Sequence, residues 1–294
     1  VAAYANRDRA LASMRMPITL AAHRKVLAQC KANAARFQDL ATEPLIDALA
    51  QMAANLAEGG PEPWRLAGDI FDSPTFEQTC GPDLERVAMA AMTFEALLAN
   101  AWGAWETTLS VWTRMGTRFD SLKHHPVTVI WAFHTALARA RLGMPIRRWE
   151  TFVVDRAARF NPLSYAHRSL ALKAEALLRK GQAGLAMATY EAGVVAAGQS
   201  GFPLEHGVVA VAARAAALQA GRPDLETRFA TAEQTAWRTL GAHARLGEAA
   251  VTVPETITVE GDTTAADRAS RAKPRLLAGA AHDVKKLSLE LGGH

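Results

Sequence analysis

The sequence predicts an all-α chain built as a solenoid of helical hairpins. Alanine, leucine, arginine, glutamate and methionine dominate up to about residue 248, and these are strong helix formers. Alternating patterns typical of strands are hard to find there. Four glycines interrupt the helical pattern at intervals of about 40 residues, a period typical of stacked helical arrays: Gly103, Gly143, Gly181 and Gly221.

Composition and charge indicate a folded, cytoplasmic protein. Half of the 294 residues are hydrophobic and 21% are charged, which allows a sizeable core. The net charge of +4 is mild, and no long run of Lys and Arg is present, so we expect no nucleic-acid partner. Cys30 and Cys80 cannot form a disulfide framework, which favours a reducing compartment. No apolar run reaches the roughly 20 residues that a membrane span needs, and no signal peptide is recognisable.

Along the chain, the pattern starts with helices and a loop and then becomes regular. Residues 17–57 predict a helical pair or one long helix, and "AGDIFDSPTF" predicts a connecting loop. The clearest hairpin ends its first helix at Gly181, because a left-handed residue suits a helix C-terminus. Its second helix carries Ala186, Tyr190 and neighbouring apolar residues at helical spacing.

The stretch from Asn161 to Ala244 resembles the tetratricopeptide-like helical region of large bacterial ATPase and sensor histidine kinase signalling proteins. The resemblance is carried by "NPLSYAHRSLALKAEALLRKGQ", "AMATYEAGVVAAGQSGF" and "AWRTLGAHARL", and it extends over about residues 85–250. It implies a non-catalytic regulatory region of a signal-transduction protein. A protein or peptide is then expected to bind on the concave face of the solenoid.

Aromatic and polar residues of the helical region are interpreted mainly as packing residues. Trp102, Trp105 and Trp112 flank the first glycine turn, and core packing is favoured over a ligand-stacking cage. His167 and Glu175 match positions common in the resembling arrays, and packing or a helix–helix hydrogen bond is the favoured interpretation. These residues therefore predict no reactive site.

Cofactor and metal sites are not expected in this region. His124, His125 and His134 show no metal-ligand spacing, and Cys30 lies in a polar helical stretch without a paired histidine. Neither a phosphate-binding GxxxxGK[ST] loop nor a GxGxxG turn occurs. Residues 1–248 therefore predict a helical repeat domain without cofactor, metal or catalytic residues.

The character of the chain changes near residue 249. Residues 249–263 are rich in Thr and Val and predict a linker, and residues 264–294 predict a partial C-terminal module. The chain begins with Val1 rather than Met and ends just after a Gly-Gly pair, so we expect it to be a piece of a longer protein.

The tail over residues 264–287 resembles the phosphoacceptor helix of sensor histidine kinases. The run "RASRAKPRLLAGAAHDVKKL" carries this resemblance. It implies that His282 is the nucleophile that accepts a phosphoryl group and that Asp283 orients its ring and manages its proton. It also allows a homodimer through the C-terminal helix. This interpretation is favoured, because helical arrays of this kind occur upstream of kinase output modules.

Two alternatives remain open for the tail. "VKKLSLELGGH", residues 284–294, resembles the segment of aldehyde dehydrogenases that carries the general-base glutamate, which would be Glu290. The chain would then be a helical scaffold fused to a truncated segment of an NAD(P)-dependent enzyme. The other alternative is a tail without function of its own. Under every interpretation, we expect no autonomous enzymatic activity from this chain.

Overall fold

The part of the chain that the structure describes is all-helical. A computed structural model describes residues 9–11, 18–39, 41–116, 118 and 127–247. Within these ranges the chain forms α-helices and short 3₁₀ turns and contains no strand. The expected all-α class is thereby confirmed for the described ranges. The predicted linker and C-terminal module lie outside them.

The helices follow the order that the sequence pattern indicates, with two refinements. The predicted N-terminal helical segment is a pair of helices, and the predicted loop near residue 70 ends in a short helix that Asp72 caps by accepting a hydrogen bond from the Thr75 N–H. The bounds are α1 Leu20–Arg36, α2 Thr42–Glu58, α3 Ser73–Thr79, α4 Glu85–Trp102, α5 Trp105–Met115, α6 Val127–Arg141, α7 Arg148–Phe160, α8 Pro162–Arg179, α9 Ala183–Gln199, α10 Pro203–Gln219 and α11 Pro223–Leu240, with 3₁₀ turns at Pro82–Leu84 and His243–Leu246.

The predicted glycine turns are all present. Gly103, Gly143, Gly181 and Gly221 have φ values of 73°, 72°, 72° and 65°. At Gly181 the chain reverses between α8 and α9, and the Gln182 N–H bonds back to the Leu177 carbonyl at 3.0 Å. A left-handed residue allows this closure, and glycine adopts it without a steric penalty. The period of about 40 residues therefore reflects a helix pair that recurs along the chain.

Helices that follow one another in the chain pack as pairs, most extensively α8 with α9 and α10 with α11. A second set of contacts joins the first helices of successive pairs. It runs from α4 to α6, from α6 to α8 and from α8 to α10, and it returns from α10 to α4. The sides that these four helices turn toward one another are buried, with Phe133 and His167 fully inaccessible.

The N-terminal helices also contact the last described turn. Helix α2 packs against His243–Leu246, and a Cβ placed on Gly59 would lie 3.2 Å from the Cβ of Ala244. In an open solenoid each repeat contacts only its neighbours. Here, contacts between elements far apart in the sequence supplement the contacts between neighbours.

Candidate functional site

The residues predicted to carry phosphoryl transfer or base catalysis fall in the C-terminal tail. His282, Asp283 and Glu290 lie outside the described residues, as do His124 and His125. Their proposed roles stay predictions.

The tryptophans near the first glycine turn belong to two different clusters. The Trp112 ring stacks on Trp131 and Trp149, with ring centroids 5.6 and 6.0 Å away. Trp102 instead lies beneath the Arg245 guanidinium, 4.8 Å from its ring centroid, and Trp105 packs against the main core. Core packing was favoured for these residues, and their contacts agree with it.

His134 is a core histidine rather than a ligand. The Asn100 side-chain amide donates hydrogen bonds to its Nδ1 and to its carbonyl oxygen, each at 2.9 Å. The Thr108 hydroxyl donates in turn to the Asn100 oxygen at 2.7 Å. Burial lowers the pKa of His134 to about 4, so the ring is neutral near pH 7. The described residues contain no group of three or more His, Cys, Asp or Glu that could hold a metal.

Buried carboxylates recur through the helix pairs, and cations or hydroxyls contact each of them. Glu175 accepts hydrogen bonds from the Tyr190 hydroxyl and from Arg141, so it takes the second of the two roles expected for it, packing or a helix–helix hydrogen bond. The other members are Glu95 with Arg114, Glu150 with Thr135, Glu205 with Arg168 and His167, and Glu233 with Arg214 and Arg245.

The contacts of Glu205 and Tyr190 make these two side chains structural rather than reactive. Burial alone would raise the pKa of Glu205, but the guanidinium of Arg168 and the His167 ring hold it well below its usual range. Burial and the adjacent Glu175 carboxylate raise the pKa of Tyr190 well above its ordinary value. An ionised, paired carboxylate and a neutral phenol stay in fixed protonation states near pH 7. They therefore serve poorly as general acids or bases.

An open groove separates helices α7 and α8. Its volume is about 820 Å³, and both helices contribute its walls. Apolar side chains at its base include Leu172 and Ile146, whereas Arg159, Lys173 and Lys180 are exposed at its edges. The groove therefore combines an apolar base with a cationic edge.

The polar contacts of the groove leave the cations at its edges without a carboxylate partner. The only acidic lining residue, Asp155, accepts a hydrogen bond from the Ser169 hydroxyl at 2.6 Å, and Arg179 donates to the Met144 carbonyl at 3.1 Å. In the part of the chain that the structure describes, no carboxylate pairs with Arg159, Lys173 or Lys180. Their charges face solvent.

The segment that contains α7 and α8 carries a positive excess. Residues 147–180 contain eight Arg and Lys residues and three Asp and Glu residues, a local excess of five positive charges. The whole chain has a net charge of +4, so the remainder carries a slight negative excess.

Aromatic side chains stand beside the groove on the solvent side of α7. Phe152 is 53% exposed and Phe160 is 39% exposed. The Arg156 guanidinium lies 5.8 Å from the centroid of each ring, so the three side chains form a continuous stripe along the helix. Arg159 falls on the same face, because seven residues complete about two helical turns.

Comparison with protein-family models, curated proteins and solved structures finds no match. No helix in the described ranges has the length and apolarity that crossing a membrane requires. The described chain is thus an all-helical, repeat-like protein with an unpaired basic groove. Sequence analysis did not identify this groove, because it depends on which faces of α7 and α8 remain uncovered in the fold.

Proposed function

We propose that the chain is a tetratricopeptide-like helical-hairpin solenoid that acts as a non-catalytic protein-interaction region of a bacterial signal-transduction protein. The recurrence of the helix pair supports this proposal. Helices α8 and α10 begin about 40 residues apart, as do α9 and α11, and glycine turns separate them. Stacked pairs of this kind present long rigid surfaces, which suit protein and peptide partners.

We propose a binding surface outside the concave side, which differs from the concave-face expectation of the sequence analysis. The facing sides of α4, α6, α8 and α10 are packed together, so a partner has access to the second helices of the pairs and to the grooves beside them. Helices α7, α9 and α11 all present exposed residues.

Site-specific photo-crosslinking in the native cells tests the proposal. A photoreactive amino acid is placed singly at exposed positions on four helices, at Glu106, Phe152, Ala192 and Arg228. We expect one protein to be captured from a contiguous subset of these positions, with or without residues 249–294. Capture of no protein from any position, or of nucleic acid alone, would contradict the proposed function.

The signalling assignment extends to the tail and has its own test. The resemblance of residues 264–287 to a phosphoacceptor helix supports it. Incubation with the kinase domain of the parent pathway and ATP is expected to label the chain at His282, and His282→Gln should remove the label. Labelling at another residue, or none, would remove the phosphoacceptor role. The alternative, in which Glu290 belongs to a dehydrogenase segment, would then be favoured.

A further inference from the structure

We infer that the groove between α7 and α8 binds an acidic amphipathic helix of a partner protein. This inference rests on the proposed interaction function and specifies both the surface and the chemistry of the partner. Three properties of the groove support this inference: its positive charge, its apolar base and its length.

Charge complementarity selects an acidic partner. Arg159, Lys173 and Lys180 project from both sides of the groove without a carboxylate partner among the described residues. Buried cations elsewhere are paired; Arg141, for example, contacts Glu175 at 3.0 Å. Complementary charges on the two partners guide association and exclude partners of the same sign. Glutamate or aspartate side chains on the partner would supply the missing carboxylates.

The apolar base selects an amphipathic partner over a uniformly charged polymer. Leu172 and Ala176 from α8 and Ala158 from α7 lie between the cationic edges, with Ile146 at one end. Burial of apolar side chains against such a base contributes the free energy that surface ion pairs alone provide poorly. A nucleic acid backbone would satisfy the cations but leave the base without apolar contacts.

The length of the groove suits a short helix. The α8 wall runs from Ser169 to Lys180, which spans about three helical turns at 1.5 Å per residue. An amphipathic helix that lies in a groove contacts it through residues spaced i, i+3, i+4 and i+7, which also span about two to three turns. The exposed rings of Phe152 and Phe160 would border such a helix and extend its apolar contact.

A designed peptide tests the inference without knowledge of the natural partner. The probe is a fluorescein-labelled helical peptide of about 14 residues, which form about four helical turns, with leucines along one face and glutamates elsewhere. Its matched control has the same composition in an order that leaves no apolar face. A single-stranded DNA of the same number of nucleotides is the third ligand. Binding to the full chain is measured by fluorescence anisotropy.

Two double variants locate the site. Lys173→Glu with Lys180→Glu reverses the charge at the groove, and Lys25→Glu with Arg86→Glu makes the same charge change at exposed positions outside it. All four side chains are exposed, so unchanged urea midpoints are expected. The groove variant should bind the probe at least about tenfold more weakly, because attraction becomes repulsion, whereas the control variant should change affinity less than about threefold.

The outcomes separate this inference from the proposed function. Preferential binding of the amphipathic probe, lost in the groove variant and weakened by salt, supports the inference. Equal binding of the reordered peptide, tighter binding of the DNA, or an unaffected groove variant overturns it. If crosslinking captures a protein only from α9 or α11, the interaction function stands and the groove inference fails. If the probe binds but no protein is ever captured, the proposed function fails instead.

Discussion

The guanidinium of Arg168 donates two hydrogen bonds to the carboxylate of Glu205, from Nη2 to Oε1 at 2.6 Å and from Nε to Oε2 at 3.1 Å. The pair is buried and joins α8 to α10. The Nε2 atom of His167 lies 3.3 Å from the same carboxylate. Two successive helix pairs are thereby connected through one charged contact inside the protein.

Loss of one member of this pair should be strongly destabilising. In Arg168→Met the Glu205 carboxylate keeps its burial but loses its cation, and breaking a buried pair in this way costs about 3–5 kcal/mol. Urea unfolding measures the change in the free energy of unfolding. The double variant Arg168→Met with Glu205→Leu should recover most of the loss, because apolar replacement removes the unpaired charge as well. A single variant as stable as the parent would contradict this account.

Stability should fall as the pH drops from about 6.5 toward about 4. Burial lowers the pKa values of His23 and His134 to about 4, against 6.5 for an unperturbed histidine. Between these values the unfolded chain binds protons that the native protein does not bind, so protonation favours unfolding. Each histidine contributes a slope of up to about 1.4 kcal/mol per pH unit. Glu205 affects stability only at lower pH. Its pKa is depressed in the native protein, so its contribution to stability is lost only below the pKa of about 4.3 that glutamate has in the unfolded chain.

Urea unfolding at several pH values checks this dependence. His134→Asn removes one titrating group, and the slope between about pH 6 and about pH 5 should decrease accordingly. His243→Asn serves as the control, since His243 lies in the partly exposed terminal turn. If the slope of stability against pH is unchanged in His134→Asn, His134 does not cause the pH dependence.

Gly207 provides a test of packing between α10 and α11. A Cβ at this position would lie well under 3.0 Å from the Trp237 ring, which is fully buried. Gly207→Ala should lower stability by about 1–3 kcal/mol through overpacking. Gly184→Ala is the matched control, because a Cβ there meets nothing within 4 Å. The control should be neutral or slightly stabilising, since alanine favours a helix over glycine by up to about 1 kcal/mol.

Arg245 should hold the terminal 3₁₀ turn in place. Its guanidinium lies 4.8 Å from the Trp102 ring centroid and 5.4 Å from that of Trp237, and it contacts Glu233. In Arg245→Ala, Glu233 keeps Arg214 at 3.4 Å, so we expect a loss of about 1–3 kcal/mol rather than more. Hydrogen exchange should accelerate first in His243–Leu246. Equal acceleration throughout the chain would indicate global destabilisation instead.

Local sequence signals predicted the helix pairs well. Gly181 and its counterparts end helices through their own backbone preference, which acts within a few residues and can be read directly from the sequence. The sequence also predicted that Glu175 has a structural role, either in packing or in a helix–helix hydrogen bond. Its partner Tyr190, 15 residues away, was identified only as a helical core residue.

Contacts between different helix pairs could not be predicted from local sequence signals. Arg168 meets Glu205 across 37 residues, and Asn100 meets His134 across 34. Nothing in either local sequence specifies the other partner. The groove likewise depends on which faces of α7 and α8 remain uncovered. Its cations are scattered in the sequence, and only the folded structure brings them together on one surface.

The contact between Gly59 and Ala244 has a consequence for how the chain folds. In an array with neighbour contacts alone, end units can fray independently and stability is approximately a sum over units. Here α2 covers the last described turn, and α10 packs against α4. Removal of the first helix pair would therefore expose apolar surface around the distant turn His243–Leu246. Such distant contacts raise the contact order, slow folding and favour cooperative loss of structure over stepwise unravelling.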